Sequence, residues 1–346
     1  MRPEVKLVFV VKANAYGHGL REVARHAAAC GVDWFAVAYL SEALTVREVA
    51  PNAEIVILGA ILPEEVKTCH EHSILPIIVD VQHAEMLSAE AQRRGITLRC
   101  HLKVDTGMGR FGVPWERAVD DFVGIERMSG LRLTGICTHF ASVEVARPSM
   151  GPDQVERFHK ITERISRICD RPLMRHVSSS RAFQCFPDWD FDGVRPGIIL
   201  YGYGARESGF RITTAPVLQW KSRVMMVKKV PANFPVGYYS SYTTKHETCI
   251  VTVAAGYADG YNRLLGNRGF ALVQGRRQPV VGRVSMNWIT LDTGPDCSIN
   301  VGDEVVLIGQ QGRESFWADE MARMARTITY ESLTSIDPRA ERVYLK

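Results

Sequence analysis

Paired cysteines are missing from this sequence: its eight cysteines, at positions 30, 69, 100, 137, 169, 185, 249 and 297, include no Cys-x-x-Cys spacing. That excludes the common zinc-knuckle and dithiol motifs, and a chain of 346 residues can build a core without disulfide staples. Most of the thiols sit in apolar runs, so isolated buried cysteines in a reducing compartment are expected. No metal site is expected. Long hydrophobic stretches are equally absent, and nothing approaches the ~18 apolar residues of a membrane span. The apolar run Leu7–Val11 is too short for a signal peptide and ends at Lys12, so it reads as a strand. Charge of one sign is scarce too: 42 Lys and Arg face 38 Asp and Glu, a formal net charge of +4, with no basic block. Nucleic acid and membranes are therefore not expected partners, and the cytoplasm is the expected location. Internal repeats, low-complexity tracts and long linkers are also missing.

What is present is an alternation of short β-rich runs with helical patterns over the first two-thirds of the chain. The runs are Leu7–Val11, Trp34–Leu40, Ile55–Leu58, Ile74–Val79, Leu98–Val104, Leu131–Phe140, Pro172–Val177 and Val194–Tyr201. Continuous apolar strands between helices mark a buried parallel sheet, and eight of them predict a (β/α)8 TIM-like barrel over residues 1–213. A doubly wound sheet is the alternative. Beyond Thr213 the texture changes to short strands such as Trp220–Val230, Cys249–Ala255, Gly269–Gln274, Pro279–Ser285 and Glu304–Ile308, separated by Gly, Pro and Asp turns. Residues 300–303, Asn-Val-Gly-Asp, form a turn of the kind that joins antiparallel strands. A C-terminal mainly-β domain over residues 214–346 is expected.

In a parallel barrel, side chains at the C-terminal strand ends face the ligand site. Lys12 ends the first run, Arg110 follows the fifth, His139 ends the sixth and His176 the seventh, while Arg195 and Gly197 lie in the eighth. Basic and imidazole groups at five strand ends point to an anionic ligand in the mouth; exposed loop charges are the plainer reading. Lys12 is the sharpest feature. Flanked by Val and Ala, its amine should be partly desolvated, which lowers its pKa and frees it for Schiff-base chemistry.

The string VVKANAYGHG around Lys12 resembles the cofactor-binding motif of alanine racemases, and five further stretches match in order: LKVDTGMGRFG (102–112), CTHFAS (137–142), VRPGIILYG (194–202), GYADGYNR (256–263) and VGRVSMN (281–287). The resemblance spans nearly the whole chain and implies a homodimer with shared active sites, pyridoxal 5'-phosphate as cofactor, and a role in D-alanine supply for peptidoglycan. It further implies that Lys12 holds the cofactor as a Schiff base. Tyr16, Ser180, Gly197, Ile198 and Tyr330 would bind its phosphate. Arg195 would face the pyridine nitrogen with His176 behind it, and His139 would lie beside the ring. Arg110 would meet the substrate carboxylate, and Lys103 matches a lysine that is carbamylated in some members. Tyr238, donated by the partner subunit, would be the second catalytic base, with Tyr239 and Tyr242 as competing candidates. Tyr257, Met286, Arg263 and Arg283 would line the way in.

Arg195 has a chemical consequence. A guanidinium has no acceptor, so a pyridine nitrogen facing it must stay unprotonated and accept its hydrogen bond. That suits an enzyme which only moves one α-proton between two bases, one on each face of a planar carbon. Decarboxylases of related architecture favour an acidic partner there instead.

The sequence departs from the family pattern in three places. A strand and a helix usually precede the cofactor lysine, whereas this sequence starts almost at the lysine's strand; either a native N-terminus that begins earlier or a differently closed barrel is expected. Ser179 stands where asparagine is common, and Asn287 where aspartate is usual. Loss of a carboxylate at position 287 would make the approach less negative, so serine or a broader set of amino acids is an alternative substrate class. A catalytically weakened pyridoxal-phosphate-binding homologue is a further alternative.

Overall fold

The structure is a computed structural model describing residues 4–143, 149–204, 211–295 and 298–345. Its first compact unit comprises residues 1–15, 19–200 and 204–214, and its second residues 16–18, 201–203 and 215–346.

The first unit is a closed barrel of eight parallel strands: β1 (Lys6–Val10), β2 (Trp34–Val37), β3 (Glu54–Ile57), β4 (Ile74–Ile78), β5 (Leu98–Asp105), β6 (Leu131–Cys137), β7 (Met174–Ser179) and β8 (Gly193–Arg195). Neighbours run 4-3-2-1-8-7-6-5, and β4 pairs with β5 through Ile77↔His101 and Ile78↔Leu102 to close the ring. This pairing decides against the doubly wound alternative, whose sheet would be left open. All five residues of β4 are buried, as expected of a strand covered on both sides. Helices follow most strands: α1 (Leu20–Ala29), α2 (Leu40–Val49), α3 (Val66–Glu71), α4 (Val81–Arg93), α5 (Ala118–Glu126), α6 (Gly151–Ser166) and α7 (Ser180–Cys185). α1 turns Leu20, Ala24 and Ala27 inward at helical spacing. Asp80 starts α4 by accepting the His83 N–H at 2.7 Å.

The eighth strand is shorter than the sequence suggests. It stops at Arg195, and Ile198–Tyr201 is a 3-10 turn. Pro196 explains this, because it has no N–H to continue the ladder. His176 also differs from expectation: it lies inside β7, fully buried in the barrel, rather than at the strand's end.

The second unit is built on an antiparallel sheet with β9 (Trp220–Val230), β12 (Thr248–Val253), β13 (Phe270–Val273), β14 (Arg276–Pro279), β15 (Ile289–Asp292) and β16 (Glu304–Gln311), in the order 14-13-16-9-12-15. β17 (Glu314–Phe316) extends β16, and β10 (Pro235–Val236) pairs with β11 (Tyr242–Thr243) as a separate hairpin. Two short helices, α8 (Ala318–Met324) and α9 (Thr329–Thr334), follow.

The expected strand Pro279–Ser285 does not form as such: Arg276–Pro279 completes a hairpin with Phe270–Val273, Val280 makes only an isolated bridge to Leu291, and strand structure resumes at Ile289. The turn at 300–303 forms, closed by the Asp303 N–H to Asn300 O at 3.1 Å. It leads into β16, but the described residues just before it are not strand.

Cys69, Cys100, Cys137 and Cys249 are buried, whereas Cys30 is exposed. Cys297 lies outside the described residues. Among the described residues no helix is long and apolar enough to cross a membrane, and no group of three His, Cys, Asp or Glu side chains could hold a metal ion.

Candidate active site

Lys12 follows β1 by two residues and opens a single turn, Lys12–Tyr16. Ala13, Asn14, Ala15 and Tyr16 all have φ between 52° and 54°, the left-handed region. Such a run costs roughly 1–2 kcal/mol per residue, so it must be held from outside. Two anchors do this. Glu42 of α2 accepts the Ala13 N–H at 2.6 Å, and the Asn14 side chain accepts the Leu20 N–H at 2.8 Å. The turn presents a half-buried Lys12 whose amine is held below its ordinary pKa, chiefly by burial and next by the Arg110 guanidinium. Glu42 pulls the other way and Arg195 adds to the lowering. A neutral amine is the nucleophilic form.

Inside the barrel, Arg195 is the fixed point. Arg195 is 5% exposed, and its guanidinium donates to the backbone oxygens of Thr138 at 2.7 Å, Val177 at 2.9 Å and His176, and to His176 Nδ1 at 2.8 Å. His139 Nδ1 lies 3.5 Å from the same group. Burial and then Arg195 hold His139 down to about 3, so its ring stays neutral. Lys103, on β5, is also buried; burial brings its amine down to about 8, against the opposing pull of Cys137. Lys12, Arg110, Lys103, His139 and Arg195 thus share one electrostatic neighbourhood.

Arg110 is positioned by a turn that Asp105 organises. The Asp105 carboxylate accepts the N–H groups of Gly107, Met108 and Gly109 at 2.9, 2.8 and 2.8 Å. After β7, Ser180 Oγ accepts the N–H groups of Gly197 at 2.9 Å and Ile199 at 3.4 Å. That leaves the Ser180 hydroxyl hydrogen available to an anion.

In the second unit, Tyr16 packs between Tyr201 and Tyr330, with ring centroids at 4.9 and 5.7 Å. Burial, then Tyr330, raises the Tyr16 phenol, so it remains a hydrogen-bond donor. Tyr257 and Met286 are brought together because the N–H groups of Tyr257 and Ala258 donate to Ser285 O and Met286 O at 3.0 and 2.9 Å. Gly256 permits this approach, since a Cβ there would lie 2.2 Å from Met286 O. Asn287 faces Asp259, its Nδ2 lying 3.5 Å from the carboxylate. An aspartate at 287 would repel that partner.

Of the three candidate tyrosines, Tyr242 donates to Asp292 at 2.7 Å and is pushed up to about 12 by burial and that carboxylate. Tyr239 lies under the Arg283 guanidinium, 4.5 Å from its ring centroid. Tyr238 is 64% exposed, free of both arrangements. Arg263 and Arg283, with Arg268, line a cavity of about 320 Å³.

Two contributors are absent from the sequence reading. Glu42 carries no motif of its own and reaches Ala13 only through the fold. His101, in the middle of β5, was legible as a polar residue within an apolar strand.

The residues present fit pyridoxal phosphate: an amine of lowered basicity, a buried guanidinium, neutral imidazole, and a hydroxyl with neighbouring backbone N–H groups suit an anionic cofactor with one reactive carbonyl.

Residues 1–205 match the family described as alanine racemase, N-terminal domain, and residues 217–344 match alanine racemase, C-terminal domain. The alanine racemase of Carboxydothermus hydrogenoformans is 40% identical over 338 residues, covering 97% of this chain and 92% of that protein. The solved alanine racemase from Streptomyces coelicolor A3(2) is 35% identical with a TM-score of 0.90, over 99% of this chain and 92% of that one. The Bartonella henselae alanine racemase, solved with covalently bound pyridoxal phosphate, is 28% identical with a TM-score of 0.87 over 99% and 93%. The barrel and the β domain therefore belong to an amino-acid racemase, an isomerase, and the chain is a member of the alanine racemase family.

Proposed function

We propose that this protein interconverts L- and D-alanine with pyridoxal phosphate held by Lys12, using Lys12 and Tyr238 of the partner subunit as the two bases. Arg195 carries the reading. A buried guanidinium, fixed by three backbone oxygens and an imidazole, can only donate, so it favours an unprotonated pyridine nitrogen. When bound, the cofactor acidifies the α-hydrogen of an attached amino acid by withdrawing electrons.

The chain's own residues do the rest. Ser180, Gly197, Ile198, Tyr16 and Tyr330 take the phosphate, and His139 packs beside the ring as a neutral group. Arg110 meets the substrate carboxylate, next to Lys103, whose amine can take up carbon dioxide as a carbamate and orient that arginine. Lys12 moves the proton on one face and Tyr238 on the other. Exposure of Tyr238, Tyr257 and Met286 in the single chain supports a homodimer in which they complete the partner's site. Asn287 beside Asp259 favours, as a second reading, a wider range of amino acids. Cysteines left as free thiols, including Cys69 and Cys100, support a cytoplasmic setting.

The test is racemisation of L-alanine by the cofactor-loaded protein, followed by circular dichroism and chiral chromatography, with L-serine and L-lysine in parallel. Turnover of alanine is expected. Equal turnover of all three would support the wider range. A loaded protein without turnover would make it a weakened homologue.

A further inference from the structure

His101 lies in the interior of the barrel, 1% exposed, and has no part in the roles assigned above. Its register partner on β6 is Gly135, where a Cβ would lie 2.7 Å from the imidazole Cδ2 and Nε2. Because β6 carries no side chain there, the ring of His101 crosses it and reaches β7. His101 Nδ1 lies 2.9 Å from His176 Nε2, and His176 Nδ1 lies 2.8 Å from Arg195. Side chains from β5, β7 and β8 thus form one continuous line.

The hydrogens in this line can be placed from one end. A guanidinium has donors only, so His176 Nδ1 must accept. Burial, then Arg195, keeps His176 neutral, so its one N–H is at Nε2 and points at His101 Nδ1. His101 must accept there. It is neutral too, held down to about 3 by burial and then Arg99, so its own hydrogen is on Nε2. His101 also lines a cavity of about 740 Å³ at the N-terminal end of the strands, with Lys6, Trp34, Glu54 and Arg99, large enough to admit a polar partner for that hydrogen.

We propose that His101 is a positioning residue for the cofactor's pyridine nitrogen: by accepting from His176 Nε2 it locks the His176 tautomer and, through it, the orientation of Arg195. The proposal rests on the assignment of Arg195 to that nitrogen. Gly135 belongs to the device, since any side chain there would displace the His101 ring.

The test is 15N NMR of cofactor-loaded protein carrying 15N-histidine and 15N-labelled pyridoxal phosphate, for the wild type, His101→Gln and His101→Phe. Loss of one histidine signal set in either variant assigns His101. In the wild type, His101 and His176 should each show an N–H at Nε2 and an unprotonated Nδ1. The Gln carbonyl can still accept from His176, so His101→Gln should keep the His176 pattern and the ring-nitrogen signal. His101→Phe should lose both. It should also raise the fraction of turnovers that end in amination of the cofactor by about threefold to tenfold, the range spanned by one net hydrogen bond. A wild-type His176 with its hydrogen on Nδ1, or His101→Phe with His176 and ring signals unchanged, overturns the proposal. If His101→Phe does not fold, the wild-type tautomers decide alone. The visible absorbance of Lys12-bound cofactor reports loading separately. Its absence would count against the cofactor reading, while the histidine signals of the unloaded protein would still decide whether His101 locks His176.

Discussion

The Glu42 carboxylate accepts the Ala13 N–H at 2.6 Å through one oxygen and the Ala38 N–H at 2.8 Å through the other. It therefore joins the loop after β2 to the left-handed turn that presents Lys12, and it is also the negative charge opposing the depression of the lysine's pKa. Replacing it separates the two effects. Glu42→Gln removes the charge and keeps only one of the two acceptor oxygens, which can still hold the Ala13 N–H, so the Lys12 amine should fall further in pKa. The pH dependence of cofactor uptake by the unloaded protein should then shift to lower pH. Glu42→Ala removes the anchor as well and should cost about 1–3 kcal/mol in urea unfolding. Identical uptake profiles for wild type and Gln would remove Glu42 from the electrostatics of the site.

Lys12→Ala should bind the cofactor without a covalent link. Borohydride treatment followed by peptide mass analysis should find the cofactor on the Lys12 peptide of the wild type and on no peptide of the variant. Turnover should disappear with the label. A variant that still racemises alanine would contradict the assignment of Lys12.

Lys103, brought down to about 8, bears on carbon dioxide uptake, which consumes the neutral amine and releases one proton. The neutral fraction grows as pH rises through about 8 and shrinks below it. Protein in 13C-bicarbonate should therefore show a carbamate signal that strengthens from pH 7 to pH 9, and Lys103→Met should lack it. A signal that persists in Lys103→Met belongs to another amine.

Tyr238→Phe should load cofactor normally and lose racemisation by about 10²-fold or more, the lower range for removing a positioned base. α-Hydrogen exchange with solvent should survive better for one enantiomer than for the other. Tyr242→Phe should leave both directions within a few fold, since that hydroxyl is committed to Asp292. Mixing inactive Lys12→Ala and Tyr238→Phe chains should restore part of the activity if each site draws on both subunits. No recovery despite demonstrated subunit exchange would rule out the shared site.

Asp105→Ala removes three hydrogen bonds from the turn before Arg110. The expected result is a rise in KM for alanine of about tenfold, with a smaller change in kcat, if Arg110 meets the substrate carboxylate as proposed. An unchanged KM would show that Arg110 is held by something other than this turn.

Much of this protein is determined locally and could be read from the chain alone. Eight apolar runs separated by helical patterns are enough to predict a buried parallel sheet, barrel or doubly wound, since each strand must be covered on both faces. Lys12 between apolar neighbours announces a desolvated amine, and Arg195 in a strand announces a donor that cannot accept. Other features depend on which strands become neighbours. The closing pair β4–β5 excludes an open sheet. The hairpin of Phe270–Val273 with Arg276–Pro279 takes the place of the strand expected over Pro279–Ser285, because pairing partners outweigh local apolar content. The partners of Tyr242 and Tyr239, Asp292 and Arg283, lie 50 and 44 positions away along the chain and come close only in the fold. The same holds for Glu42 against Ala13 and for His101 crossing Gly135 to His176. A residue's type can disclose what chemistry it is capable of, but hydrogen bonds and buried charges act over a few ångströms, and only the tertiary fold decides which groups come that close.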